Sequence, residues 1–242
     1  MNILITGASS GIGRGLAISY AAAGHNVIAI GRNKVALDEL AILGISCLQL
    51  DLVNLDDVRE QSAQLNLTLN NLDLAILNAG NCEYLDISSF DAALIKRVFD
   101  ANVISFANSL ELVLPLLRKS RNPHLVGVAS IAGYLPLSRA EAYGASKAAI
   151  IYLLDTLAID LAKENILVTT VNPGFVKTPL TAKNDFPMPF AIDVNAATRI
   201  IQRGIEQKKI EIHFPYRLTL VIKLLGLLPR RWWRYLGKFL VR

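Results

Sequence analysis

The chain has 242 residues, 52% of them hydrophobic and 19% charged, which is enough to bury one sizeable α/β core and too little for two ordinary domains. Its net charge of +5 is unevenly spread: residues 212–242 carry seven basic side chains and no acidic one, which leaves residues 1–211 at −2 and puts any anion-seeking surface at the C-terminus. The two cysteines, Cys47 and Cys82, exclude a disulfide framework and offer no metal-ligand spacing, so no metal is expected.

The opening Met1-Asn2-Ile3-Leu4-Ile5-Thr6-Gly7 lacks the basic start and cleavage pattern of a secretory leader, and a cytoplasmic location is expected. Apolar runs of strand length, rich in Ile, Leu and Val, occupy residues 2–6, 26–30, 46–50, 72–77, 124–129 and 166–171, and a seventh follows at 210–214. Amphipathic stretches such as 11–23, 55–69, 143–163 and 195–207 lie between them. Strand alternating with helix implies parallel pairing through right-handed crossovers. The expected fold is therefore α/β, a doubly wound (Rossmann-type) parallel sheet forming one domain over residues 1–214, with a basic amphipathic extension over 215–242.

The first strand runs into Thr6-Gly7-Ala8-Ser9-Ser10-Gly11-Ile12-Gly13 and then a helix. Glycines at that junction allow a tight turn and let a pyrophosphate approach the free N–H groups and positive dipole end of the helix. The spacing is G-x-x-x-G-x-G, not the G-x-G-x-x-G of ordinary dinucleotide folds. The second strand ends Ile30-Gly31-Arg32, where an acidic residue would hold the ribose 2′-hydroxyl of NAD. Gly31 leaves room, and Arg32 either offers a planar fork to a 2′-phosphate or is a solvated loop arginine. NADP(H) is accordingly preferred and NAD(H) possible. Asp51, followed by Leu52, closes the third strand and either accepts from an adenine amino group or caps the turn.

Tyr143-Gly144-Ala145-Ser146-Lys147 sets a phenol and an ammonium at i and i+4, on one helix face. A phenol with a pKa of ~10 is a poor proton donor and acceptor near neutrality, and an adjacent ammonium stabilises its ionised form. Ser130 ends the fifth strand, where a hydroxyl can meet a substrate oxygen. Asn102 lies in the long helical stretch after the fourth strand, where its amide can hold a water in a proton relay.

Gly7, Gly11 and Gly13, Asn78-Ala79-Gly80, Asn102, Ser130, Tyr143, Lys147 and Asn172-Pro173-Gly174 stand together in the order and at the usual spacings of the short-chain dehydrogenase/reductase family, which residues 2–214 closely resemble. The resemblance implies an enzyme that interconverts an alcohol and a carbonyl, with Asn102, Ser130, Tyr143 and Lys147 as its catalytic tetrad. Tyr143 would give the proton in reduction and take it in oxidation, Lys147 would also hold the nicotinamide ribose, and Ser130 would orient the carbonyl. It implies cofactor contacts from Gly7, Ser9, Ser10, Gly11, Ile12 and Gly13 in the turn, and from Arg32, Asp51 and Leu52. Others would come from Asn78, Ala79 and Gly80 beside the adenosine ribose, from Tyr143 and Lys147, and from Pro173, Gly174, Val176 and Thr178 beside the nicotinamide carboxamide. A homo-oligomer is implied too. One feature departs from the pattern: NADP-using members often carry a basic residue inside the glycine turn, whereas this chain has Ser9 and Ser10 there, with Arg14 just beyond. The NADP(H) preference therefore rests on Arg32.

After Ser130 the residues 131–137 are mostly apolar, and the expected lid, 179–192, contains Leu180, Phe186, Met188 and Phe190. Both favour an apolar, lipid-like substrate, or else ordinary lid packing. In the extension, Pro229 suits a helix start. Arg230, Arg234, Lys238 and Arg242 recur every fourth residue, beside Trp232, Trp233, Leu236, Phe239 and Leu240. The preceding apolar run, 218–228, is about half a membrane span and is interrupted by Lys223, so contact with a membrane surface is expected and a spanning helix is not. The alternative is that this segment covers the pocket or a subunit interface. Nucleic acid is not an expected partner. The competing reading of the whole chain is a catalytically inactive nucleotide sensor or scaffold of the same fold, which would have little need of all four tetrad positions.

Overall fold

The structure is a computed structural model that describes residues 1–240. Its described residues form a seven-stranded sheet in the order β3-β2-β1-β4-β5-β6-β7. The strands are β1 (Asn2–Thr6), β2 (Asn26–Gly31), β3 (Ser46–Gln49), β4 (Leu74–Leu77), β5 (His124–Val128), β6 (Leu167–Pro173) and β7 (Glu211–Phe214). Every neighbouring pair is parallel, with Ile3 opposite Val27 on one side and Leu74 on the other. The fold expected from the alternation of apolar runs is the fold observed.

The near absence of polar residues in β1, β4 and β5 follows from burial on both faces. Ile3 and Ile5 face one layer, made by α1 (Gly11–Ala22), α2 (Lys34–Ile42) and α7 (Val194–Glu206), where Leu16, Leu40 and Ile201 are fully buried. Leu4 faces the other, made by α3 (Leu55–Thr68), α5 (Ser105–Leu117) and α6 (Glu141–Leu161), through Val58, Leu112 and Leu154. The nine residues of α2 are too few to stand out as a periodic pattern, which is why they escape a reading of the sequence. α6 begins two residues ahead of Tyr143, so the phenol sits in its first turn.

The long helical stretch after β4 is three segments: α4 (Ala92–Phe99), a π-helical turn at Asp100–Ile104 that contains Asn102, and α5. Past β7 the chain forms α8 (Tyr216–Gly226) and α9 (Arg230–Gly237). Among the described residues no helix is long and apolar enough to cross a membrane. Arg242 and the side chain of Leu240, both counted in the basic amphipathic pattern, lie outside what is described.

Where the chain leaves β1 for β2 and returns through β4 on the other side, the strand ends part and leave a crevice. One side chain stitches it. Thr6 Oγ1 accepts from the backbone N–H of Asn78 at 3.0 Å and of Ala79 at 3.1 Å, and Asn78 Nδ2 donates back to the Thr6 oxygen at 3.1 Å. Thr6 is 1% exposed, so no water replaces its hydroxyl. Thr6→Val, which keeps the shape and orphans two N–H groups, is expected to cost about 3 kcal/mol, roughly 6–12 °C in Tm for a chain of this size. Thermal melts of the two proteins check this.

Candidate active site

The crevice is a cavity of about 420 Å³ that runs along the C-terminal ends of the central strands. Ser9, Ser10, Gly11 and Ile12 of the turn line it, with Arg32 at one end, Asp51 and Leu52 along its wall and Ala79 and Gly80 on its floor. Two glycines are forced by the stitch. Gly7 has φ +66°, and a Cβ there would lie 2.8 Å from Ala79 Cα. A Cβ on Gly13 would lie 2.4 Å from the Gly7 carbonyl oxygen and 2.5 Å from Asn78 Nδ2. The first turn of α1 thus lies against the strand end and points its free N–H groups into the cleft, a cradle suited to a pyrophosphate.

At the far end Gly31 packs on Ser9, and a Cβ would meet the serine side chain at 3.2 Å. Arg32 is exposed on the rim, and among the described residues it forms no salt bridge. Beside it Asn33 caps α2 by accepting from Ala36 N–H at 3.2 Å, which brings a second helix N-terminus to the same corner. Asp51 accepts from Val53 N–H at 3.1 Å through one oxygen, so it serves the turn and keeps its other oxygen toward solvent.

A smaller cavity of about 100 Å³ continues from the cleft and gathers Ser130, Tyr143, Lys147, Pro173, Gly174, Val176 and Thr178. Residues separated by most of the chain are brought together here because β4, β5 and β6 end side by side. Lys147 is 5% exposed and donates to the Val128 carbonyl oxygen at 3.0 Å, with its ammonium 5.8 Å from the centre of the Tyr143 ring. Burial lowers the Lys147 pKa to about 8, partly offset by the nearby Cys82 thiol. Burial likewise pushes the half-buried Tyr143 phenol up to about 12, the Cys82 thiol adds to the rise, and a hydrogen bond with Ser130 pulls it back. Both groups are held toward their uncharged forms.

Asn102 is 1% exposed, and both its N–H donors are taken. One goes to the Asn81 carbonyl oxygen at 2.9 Å and the other to Ser146 Oγ at 2.8 Å, while its own oxygen accepts from Asn81 N–H at 2.6 Å. Ser146 in turn donates to the Tyr143 carbonyl oxygen at 2.7 Å. The Asn102 amide clasps the loop after β4 to α6, and its oxygen retains one lone pair for the expected water. The π-helical turn, a feature frequent at functional sites, positions it for this.

Residues that sequence reasoning did not assign also stand here. Asn81 and Thr181 line the smaller cavity, and Thr181 Oγ1 ties the segment after β6 by donating to the Val176 oxygen at 2.6 Å. Lys183 and Asn33 line the larger one. None carries a spacing that would have marked it. The segment after β6 is pinned over the cleft: Phe186 meets Tyr84 edge-on at 5.4 Å and lies 6.0 Å from Phe175, and the Tyr84 hydroxyl donates to Asn184 at 3.0 Å. The apolar stretch after Ser130, expected to line the pocket, turns elsewhere. Ile131 and Leu135 are buried against Ile222 of α8.

A dinucleotide cleft that opens onto a phenol–lysine pair defines a nicotinamide-dependent oxidoreductase class. A family model described as short chain dehydrogenase matches residues 1–187. The chain belongs to the short-chain dehydrogenase family. It is 36% identical over 232 residues to an uncharacterized oxidoreductase of Myxococcus xanthus (strain DK1622), covering 93% of this chain and 92% of that protein. Among solved structures, a short-chain dehydrogenase from Sphingobium yanoikuyae in complex with NADPH superposes with a TM-score of 0.80 at 26% identity, over 98% of this chain and 92% of the other. A short chain dehydrogenase/reductase from Burkholderia phymatum in complex with NAD shares the fold at a TM-score of 0.82 and 22% identity, over 92% of each chain.

The buried Lys147 makes a stability prediction with a definite sign. Its folded pKa of about 8 lies below the ordinary lysine value of 10.5, so folding disfavours the charged form. The resulting penalty is full below about pH 8, shrinks as pH rises from 8 to 10.5, and vanishes above. Lys147→Met is expected to be more stable than the parent by on the order of 2 kcal/mol at neutral pH and equal to it or weaker at the alkaline end. Urea unfolding across that range measures it.

Proposed function

We propose that this chain is an NADP(H)-dependent oxidoreductase that interconverts an alcohol and a carbonyl on an apolar, lipid-like substrate, and that it works at a membrane surface. The observation that carries the enzymatic reading is the meeting of Lys147, Tyr143 and Ser130 in one small cavity at the end of a glycine-lined cleft. The glycine cradle and the donors around it fit a dinucleotide. When bound, the nicotinamide supplies or receives the hydride.

The protein's own groups position the substrate and move the proton. The Tyr143 phenol is held protonated at neutral pH and donates to the carbonyl oxygen in reduction. Ser130 hydrogen bonds to the same oxygen and orients it. The Lys147 ammonium, 5.8 Å from the centre of the phenol ring, offsets the charge that develops on it, and loses that capacity as it deprotonates. Asn102 acts as a positioning residue, holding the first turns of α6 against the loop after β4.

Two observations support NADP(H) over NAD(H). An acidic side chain in place of Gly31 would press on Ser9 at 3.2 Å, and Arg32 stands exposed beside the N-terminus of α2, where a 2′-phosphate gains both an arginine fork and a helix dipole. The aromatic cluster of Tyr84, Phe175 and Phe186, which packs the segment after β6, supports an apolar substrate.

Oxidation of NADPH and of NADH against a panel of long-chain and short polar carbonyls tests the proposal. A preference for the polar carbonyls sinks the substrate half, and a preference for NADH sinks the cofactor half. Tyr143→Phe is expected to lower kcat roughly a hundred- to ten-thousand-fold while NADPH still binds. Arg32→Ala is expected to raise KM for NADPH by about tenfold or more and to leave KM for NADH nearly unchanged.

A further inference from the structure

α8 and α9 are fastened to the body at two places, β7, where His213 Nδ1 meets Thr219 Oγ1 at 2.7 Å, and the loop between Ser130 and Tyr143. Ile222 of α8 is buried with Ile131 and Leu135, and Tyr134, Leu218, Leu225 and Trp233 pack around them. Lys223 pairs with Glu211 at 2.5 Å and lies 5.3 Å from the centre of the Tyr134 ring, and the Tyr134 hydroxyl donates to the same carboxylate. Trp233 Nε1 donates to the Pro136 carbonyl oxygen at 2.9 Å. Whatever holds these two helices therefore holds the segment that follows Ser130.

Their outward faces are built differently. On α8, Leu220, Val221 and Leu224 recur at helical spacing and lead into Leu227, which is 81% exposed. On α9 and the 3-10 turn that continues it (Lys238–Leu240), Trp232, Tyr235, Leu236 and Phe239 lie toward one side, and all four are exposed. Arg230, Arg231, Arg234 and Lys238 fill the adjoining arc, are exposed too, and make no salt bridge among the described residues. An exposed apolar arc with a cationic flank is the pattern of a helix that lies in a lipid–water interface.

Charge selects the occupant. In a two-fold contact between copies of this chain the same patch meets itself, so each cationic flank would face another with no acid between them. An anionic bilayer gives the flank its counter-charges and the apolar arc its hydrocarbon. We propose that α8 and α9 dock the protein on an anionic bilayer, and that the 131–136 loop thereby brings the Tyr143 end of the cleft to the lipid surface, so that the carbonyl reduced is carried on a membrane-borne acyl chain. The substrate half rests on the oxidoreductase reading above; the docking half does not.

The test uses the full chain and phosphatidylcholine vesicles made with and without phosphatidylglycerol. Co-sedimentation and a blue shift of tryptophan emission are expected with the anionic vesicles alone, reversed by salt. Arg234→Gln with Lys238→Gln is expected to weaken partition on the order of 30-fold. Leu224→Glu with Phe239→Glu is expected to abolish it and to slow reduction of a vesicle-borne long-chain aldehyde, while the rate on a water-soluble aldehyde stays unchanged and reports an intact fold. Failure of the full chain to bind anionic vesicles overturns the docking, as does undiminished binding by the Leu224→Glu, Phe239→Glu variant. Loss of a dimer in that variant, without loss of vesicle binding, overturns it in favour of a subunit interface. Vesicle binding without turnover of either aldehyde upholds the docking and overturns the oxidoreductase reading.

Discussion

The hydrogen bonds between Thr6 and the Asn78-Ala79 segment are the constraint from which the rest of the cleft follows. β1 and β4 are neighbours in the sheet but belong to opposite halves of the winding, so past the last ladder pair, Ile5 opposite Ile76, their connections diverge. The threonine hydroxyl and the asparagine amide hold the strand ends together there. Once Asn78 is fixed, Gly7 and Gly13 have no space for a Cβ, α1 must begin within contact of the strand end, and its free N–H groups must face the crevice. The same anchoring starts the Asn78-Ala79-Gly80 run toward Asn102, whose oxygen would lie 2.9 Å from a Cβ on Gly80. The glycine-lined end and the Tyr143 end of the cleft are thereby positioned by one local network.

At the Tyr143 end the fold works against itself. An ammonium and a phenol are placed where burial opposes the charge of either, and the hydrogen bond from Lys147 to the Val128 oxygen compensates only in part. In the proposed reaction the same burial serves the chemistry. A phenol kept protonated is a proton donor ready for reduction, and a lysine near the edge of its titration is an ammonium whose support for the ionised phenol can be withdrawn by a small rise in pH. The cost in stability and the capacity for proton transfer have one physical origin.

The parts of this design that depend on short-range geometry can be read in the sequence. Period and alternation give the winding, the glycine run after β1 gives the crevice, and Tyr143 with Lys147 at helical spacing gives the pair that shares a face. Interactions that depend on tertiary closure are not legible. Nothing in the residues around Asn102 announces a π-helical turn, so its amide reads as free when it is in fact bound to Asn81 and Ser146. Ile131 and Leu135 are apolar whether they face a substrate or a helix, and only the position of α8 decides between the two. Asp51 fits both of its readings, because one oxygen serves the turn and the other does not.

That diversion of Ile131 and Leu135 changes what the C-terminal extension is for. Had they lined the cleft, α8 and α9 would be an appendage whose removal left the site intact. Because they turn outward, the loop from Ser130 to Tyr143 is packed between the cleft on one side and the extension on the other. Tyr134, at the middle of that loop, shares a carboxylate with Lys223 of α8 through Glu211, which also accepts from Asn172 Nδ2 at 3.0 Å. Asn172 is the residue next to the Pro173-Gly174 wall of the smaller cavity. Lys223 of α8, Tyr134 of the loop and Asn172 beside the smaller cavity thus meet at one carboxylate. An extension coupled in this way shares its packing with the site.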